Sequence, residues 1–216
     1  MAALIRPPDP AAGEAEASWL ERARGAAARG PVGHHVHWTS PSHARPSGGE
    51  PPAERVLREG AWLREHGVHA TLFCGGGWYT DARVAAACAE LGYADCTPRA
   101  TRPSYLDCDA PWAQLAVPAR LRIDASATLV ALPTTHSAGD GLRAALQPGL
   151  PARVHVHFHD TDLVDPRRRR IVVAALRLLG RRGARTDLDM LALAAARAPE
   201  LAWEAVARGG AAGGPQ

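Results

Sequence analysis

The 216 residues suffice for one domain with a substantial core, and the formal net charge of +3 comes from 25 arginines with no lysine and no asparagine. This arginine usage is typical of a GC-rich coding sequence, so we expect neither a nucleic-acid nor a membrane partner. No apolar run approaches the roughly 18 residues that a membrane span needs, and no signal peptide is evident. The four cysteines form no Cys-x-x-Cys pair. We therefore expect a reduced, cytoplasmic protein.

The first and last segments differ in composition from the rest. Residues 1–17 are rich in Pro, Ala, Gly and Glu without an apolar period, which indicates a disordered lead, and residues 209–216 indicate a flexible tail. Between them, in residues 18–208, helical and strand patterns alternate, which favours an α/β domain with a largely parallel sheet. The expected elements, in chain order, are a helix from Ser18 to Arg29, a strand from Val32 to Trp38, a helix from Pro52 to Glu65, a strand from Val68 to Phe73, a helix capped by Thr80 or Asp81 and stopped by Gly92, a short strand from Tyr93 to Cys96 opening a long connection over 94–128, a strand from Thr128 to Leu132, a helix from Gly139 to Leu146, a strand from Val154 to Phe158, and a helix from Pro166 to Arg182 capped by Asp165.

The first chemical motif is the His-x-His of His35 and His37, at the end of a predicted strand. Alternate strand residues share a face, so both imidazoles lie on one side of the sheet. Such a pair can hold zinc or a similar cation, although it needs a third ligand and an open position for catalysis. Hydrogen-bonded histidines on a partly buried strand remain the alternative.

The second motif is a run of three alternating histidines that ends in His159 and Asp160. Alternation places the three imidazoles opposite Val154, Val156 and Phe158, and the helix that follows puts His159 and Asp160 at the carboxyl end of their strand. Parallel α/β sheets build their sites at that end, which is also where His35 and His37 lie. We therefore expect the two histidine motifs to converge on one rim.

Three segments in this order resemble the polysaccharide deacetylases of carbohydrate esterase family four: 32–38, 70–79 and 157–162. The resemblance covers most of residues 18–190 and is closest to the branch with a His-x-His motif. It implies an incomplete or distorted (β/α) barrel with fewer than eight units. It also implies a hydrolase that removes acetyl groups from N-acetylated or O-acetylated sugars with a divalent metal ion, zinc first, with cobalt or nickel as alternatives.

The same resemblance implies roles for individual residues. His35 and His37 would ligate the metal, with His43 as the fallback second ligand, and His159 would be the general acid, followed by Asp160. The groove motif falls on Phe73 to Gly77 and is flanked by aromatic rings that either stack on a sugar or fill the barrel wall. The expected substrate-binding residues are Trp38, Phe73, Gly76, Gly77, Trp78 and Tyr79.

The chain departs from the family at two places. The family opens with a strand that carries an aspartate pair, one the general base and one a metal ligand, and nothing upstream of Val32 matches it. Where the groove motif usually has arginine, this chain has Cys74, which either ligates a metal or is an inert small apolar residue. Strong deacetylase activity is therefore not expected unless another carboxylate substitutes, and Asp160 or Asp162 is the candidate.

Two other interpretations remain. A truncated or degenerate deacetylase-like domain would keep a carbohydrate- or partner-binding role without catalysis, and the sheet edges left by a missing first strand would favour self-association. An amidohydrolase-like metal hydrolase also uses His-x-His at a strand end. It needs further histidines and an aspartate on successive strand ends, for which the middle of the chain offers only His69 and His136.

Overall fold

The structure is a computed structural model that describes residues 1–39, 44–104, 106, 109–183 and 187–209. The strands are β1 Ala3–Ile5, β2 Val32–Val36, β3 Leu72–Gly75, β4 Ala94–Asp95, β5 Trp112–Ala113, β6 Ala119–Arg122, β7 Thr128–Ala131, β8 His136–Ser137, β9 Val156–His157, β10 Glu200–Ala202 and β11 Ala207–Arg208. The helices are α1 Glu16–Ala27, α2 Pro52–Glu65, α3 Ala82–Glu90, α4 Ala138–Leu146, α5 Asp160–Val164, α6 Pro166–Arg182, α7 Leu188–Ala195 and α8 Trp203–Val206. None of the helices in these ranges is long and apolar enough to cross a membrane.

The main sheet has seven strands in the order β1-β2-β3-β4-β7-β6-β10. All neighbours in it are parallel except β6 and β7, which are antiparallel. The chain is thus an α/β protein with mostly parallel strands, as its alternating patterns predict. It divides into two compact units, one of residues 1–132 and 187–216 and one of residues 133–186.

The register of the first unit separates its chemistry into two sheet faces. His34, Phe73 and Asp95 are paired across β2, β3 and β4 and therefore share a face. That face packs on buried residues of α2 and α3 such as Val56 and Val84. The opposite face begins with His35, paired with Cys74, and continues into an apolar cluster against α7.

Helices α2 and α6 begin and end where the sequence predicts. Proline occupies the first position of each, where its missing N–H costs no hydrogen bond. Asp165 caps α6 by accepting the N–H of Arg168 at 2.8 Å. Gly67, with φ of 73°, follows the end of α2 and lets the chain turn back toward β3.

The N-terminal segment differs from the expected disordered lead. Ala3–Ile5 forms β1, which pairs in parallel with β2, so the chain does have a strand upstream of Val32. The next residue is Arg6, whose guanidinium binds both carboxylate oxygens of Glu14 at 2.6 and 2.7 Å. This arginine holds the pKa of Glu14 down at about 2. No aspartate pair follows β1. The expected flexible tail falls, except for Gly209, outside the described residues.

Two further regions differ from the predicted elements. The expected long connection over 94–128 contains β5 and β6, and β6 turns into β7 around Asp124, which accepts the N–H groups of Ser126 and Ala127. The expected strand from Val154 is reduced to β9, which pairs with β8 in a separate two-stranded sheet. The histidine strand of the second unit is therefore not part of the seven-stranded sheet.

Candidate functional site

His35 and His37 bring their imidazoles together at the carboxyl end of β2. Val36 between them points into the core and is fully buried, so the two histidines share the other face. Their Nε2 atoms lie 3.1 Å apart, with ring planes at 78°. The sequence prediction that the two imidazoles lie on one side of the sheet is confirmed.

The Nδ1 atom of His35 is fixed by the neighbouring strand. It lies 2.7 Å from the carbonyl oxygen of Cys74, the residue that pairs with His35 across β2 and β3. A carbonyl only accepts, so Nδ1 carries the proton, and in the neutral ring Nε2 then keeps its lone pair toward His37. Metal-ligating histidines commonly make this hydrogen bond with their second nitrogen.

The spacing of the two Nε2 atoms fits a shared cation. Zinc–nitrogen bonds of about 2.0–2.1 Å place two ligating nitrogens roughly 3.3 Å apart in a tetrahedral site. The observed 3.1 Å between His35 and His37 is close to this separation. The same distance also fits a direct hydrogen bond in which His37 donates to His35.

A third ligand is not found near this pair in the part of the chain that the structure describes. No group of three His, Cys, Asp or Glu side chains that could hold a metal occurs there, and the fallback ligand His43 lies outside the described residues. Burial raises the pKa of the Cys74 thiol to about 12, so the thiol stays protonated near neutral pH. Cys74 contributes its carbonyl oxygen to His35, and its buried side chain packs in the apolar cluster against α7.

Behind β2, three polar residues form a network that sequence reasoning missed. His34 is fully buried, and its Nε2 lies 3.1 Å from Oε2 of Glu59 on α2. One turn earlier on α2, Arg55 lies 3.8 Å from Oε1 of Glu59 and donates to the carbonyl oxygen of His37 at 3.0 Å. A charged residue at the inward face of an amphipathic helix is the signal that points to such a network.

Asp95, at the end of β4, is a second residue that the sequence analysis did not single out. It is fully buried, its Oδ1 accepts the N–H of Thr97 at 2.8 Å, and no donor among the described residues reaches Oδ2. Burial raises its pKa to about 6, although hydrogen bonds from Thr97 act in the opposite direction. The hydroxyl oxygen of Thr97 in turn accepts the N–H of Gly75. Through Thr97, Asp95 thus supports the end of β3.

The loop after β3 comes close to the histidine strand. A Cβ on Gly76 would lie 2.4 Å from the carbonyl oxygen of Val36, so only glycine fits there. Gly77 has φ of 61°, and Trp78 follows with φ of 63°. Positive φ in a tryptophan is strained backbone that the surrounding packing maintains. The guanidinium of Arg99 lies 4.4 Å from the centre of the Trp78 ring.

Most of the aromatic residues that were expected to contact substrate are buried within the first unit. Phe73 is fully buried and packs against the rings of His34 and Tyr93, so it belongs to the core and offers no groove surface. Trp38 is nearly as buried and donates Nε1–H to the carbonyl oxygen of Gly76 at 2.9 Å. Tyr79 is half-buried and donates its hydroxyl to Asp81 at 2.6 Å. Trp78 is also largely buried.

The second unit holds the other histidine motif. His155 and His157 direct Nδ1 to the carbonyl oxygens of Pro133 and His136, at 3.2 and 3.0 Å. His159 comes directly before α5, and 66% of its side chain is exposed.

Asp160 and Asp162 lie in the first turn of α5. The backbone N–H of His159 donates to Oδ2 of Asp162, and Oδ1 of Asp160 accepts the N–H of Thr161 at 2.8 Å. Carboxylates favour the positive end of a helix, so α5 explains both positions locally. The sequence analysis ascribed that helix-starting role to Asp165, which caps the following helix.

The predicted site residues thus fall into two groups. His35 and His37 lie together in the first unit, and His159 and Asp160 lie together in the second. That the two groups share one rim stays a prediction. Comparison with models of known protein families and with curated proteins finds no match for this chain.

Proposed function

We propose that this protein is a metal-dependent hydrolase of the polysaccharide deacetylase type, built on a distorted (β/α) barrel and acting on N-acetylated or O-acetylated sugars. The observation that carries the proposal is the pair of Nε2 atoms of His35 and His37, 3.1 Å apart, with Nδ1 of His35 bound to the Cys74 carbonyl. Two imidazoles held at this separation are a common partial ligand set for zinc, cobalt or nickel.

The remaining roles follow from the chemistry of acetyl hydrolysis. When bound, a divalent ion polarises the acyl oxygen and makes a water molecule nucleophilic near neutral pH. His35 and His37 hold this ion, and His159 donates a proton to the leaving amine or alcohol, a role for which imidazole suits neutral pH. The exposure of His159 leaves its ring accessible to a substrate.

The proposed site lacks the aspartate pair that supplies a metal ligand and the general base in the family it resembles. After β1, Arg6 is bound to Glu14 in place of an aspartate pair. In the proposal, Asp160 or Asp162 acts as the missing ligand or base. Loss of a positioned base costs on the order of 100- to 10,000-fold in rate, so deacetylation is expected to be slow if neither does.

Zinc titration of carboxylate variants tests the proposal. Asp160→Ala and Asp162→Ala are compared with Asp165→Ala, which removes a helix-capping aspartate in the same segment. We expect zinc to bind the unaltered protein and the Asp165 variant equally, and to bind at least one of the other two about tenfold or more weakly. Equal zinc affinity in all three variants would exclude the rearranged carboxylate. Release of acetate from acetylated chitooligosaccharides is then measured on the same samples.

A second candidate function is a non-catalytic domain that binds a carbohydrate or a partner. It requires no third ligand beside His35 and His37, and no three-ligand group occurs among the described residues. In that case β1 and β10, which end the order of the main sheet, are candidates for self-association. Binding of acetylated sugar without zinc, and without acetate release, would support this function over hydrolysis.

A further inference from the structure

Helix α2 contacts the histidine strand through two side chains, Glu59 at His34 and Arg55 at His37. We infer that Arg55 is a positioning residue that sets the separation of the His35 and His37 imidazoles. The inference rests on the proposed function only for its consequence for zinc affinity, because the ring separation itself is a property of the metal-free protein.

The first contact lies just past the paired part of β2. The last residue of β2 to pair with β3 is Val36, so the peptide of His37 is the first beyond the register. Arg55 Nη1 donates to the His37 carbonyl oxygen at 3.0 Å. This hydrogen bond fixes the backbone from which the His37 imidazole projects toward His35. A charged donor makes it stronger than a neutral hydrogen bond.

Two glutamates orient the guanidinium of Arg55. Nε of Arg55 lies 3.2 Å from Oε2 of Glu50, and Nη1 lies 3.8 Å from Oε1 of Glu59. Glu59 is 7% exposed, and its other oxygen lies 3.1 Å from Nε2 of His34. A carboxylate buried to this degree requires such partners.

Residues 34–37 are held at both ends by side chains of α2. The ring of His34 is held by Glu59, the carbonyl of His37 is held by Arg55, and Arg55 and Glu59 belong to one helical turn of α2. The intervening His35 is held on the other face by the Cys74 carbonyl. Displacement of the His37 backbone from β2 therefore requires breaking the hydrogen bond from Arg55.

Arg58 provides a matched control on the same helix. Its guanidinium binds Glu50 with two hydrogen bonds of 2.8 Å and lies 3.7 Å from Oε1 of Glu59. No hydrogen bond joins Arg58 to His37 among those of the described residues. Arg58→Met thus removes the same charge beside the same carboxylates and leaves the His37 carbonyl contact in place.

The test compares Arg55→Met and Arg58→Met in two measurements. The first is the nuclear Overhauser effect between the Hε1 protons of His35 and His37, recorded on histidine-labelled, zinc-free protein. The second is the zinc dissociation constant, measured by competition with a chelating dye. Should Arg55→Met fail to fold, Arg55→Lys replaces it, because one ammonium cannot bind the His37 carbonyl and Glu59 with the geometry of a guanidinium.

We expect Arg55→Met to weaken the proton contact and to raise the zinc dissociation constant about 10- to 100-fold, as for other residues that orient metal ligands. Arg58→Met is expected to leave both unchanged within about twofold. An unchanged proton contact in Arg55→Met, or equal losses in both variants, would overturn the inference. If zinc does not bind the unaltered protein while only Arg55→Met loses the contact, the proposed function fails and the inference stands.

Discussion

The buried carboxyl of Asp95 makes a prediction about stability against pH. Burial raises its pKa from the ordinary 3.8 to about 6 in the folded state. The unfolded chain therefore loses this proton near pH 4, whereas the folded protein keeps it until near pH 6, and folding becomes less favourable over that window. A shift of about two pKa units corresponds to about 3 kcal/mol of stability that is present below pH 4 and absent above pH 6.

Asp95→Asn removes the titration and retains the oxygen that accepts the Thr97 N–H. We expect the variant to match the unaltered protein near pH 4 and to exceed it by about 3 kcal/mol at pH 8, less any cost of an unpartnered amide. Urea unfolding followed by circular dichroism at half-unit pH steps measures the difference. The control is Asp124→Asn at an exposed turn, where hydrogen bonds from Ser126 lower the pKa of Asp124, so the sign is opposite. A stability difference for Asp95→Asn that does not change between pH 4 and 8 would refute the reasoning.

Two further substitutions test the packing around the histidine strand. Glu59→Gln weakens the contacts with His34 and Arg55 and is expected to destabilise the protein by about 2 kcal/mol; an unchanged urea midpoint at pH 7 would contradict this. Gly76→Ala places a Cβ 2.4 Å from the carbonyl oxygen of Val36. We expect it to lower the free energy of unfolding by about 2 kcal/mol and the melting temperature by several degrees. Retention of the full melting temperature would show that the loop adjusts without cost.

The elements that the sequence predicted well carry their own local signals. Helix α2 has prolines at its start and a glycine after its end, and α6 has the cap Asp165, so neither depends on distant residues. Strand β1 was missed because Ala3–Ile5 is short and followed closely by prolines, and it becomes a strand only by pairing with β2. Strand β6 is likewise determined by its pairing with β7.

In the candidate site, too, features set by neighbouring residues could be predicted, and contacts between residues far apart in the sequence could not. The common face of His35 and His37 follows from strand geometry alone. The Cys74 carbonyl reaches His35 only because β2 pairs with β3, and Arg55 reaches His37 only because α2 packs on β2. Phe73 was assigned to the groove, whereas it is buried in the core, because the face toward which it points depends on how β3 pairs and packs. Asp160 was assigned to chemistry, although an aspartate in the first turn of a helix such as α5 also indicates a helix start.

The central claim, a metal held by His35 and His37, is tested most directly by metal content per chain. The protein is purified without chelating resin, and the unaltered chain is compared with the His35→Ala, His37→Ala double variant by elemental analysis. About one zinc, cobalt or nickel ion per chain in the unaltered protein, and none in the double variant, is the predicted result. No bound metal in either protein, or equal metal in both, would contradict the claim.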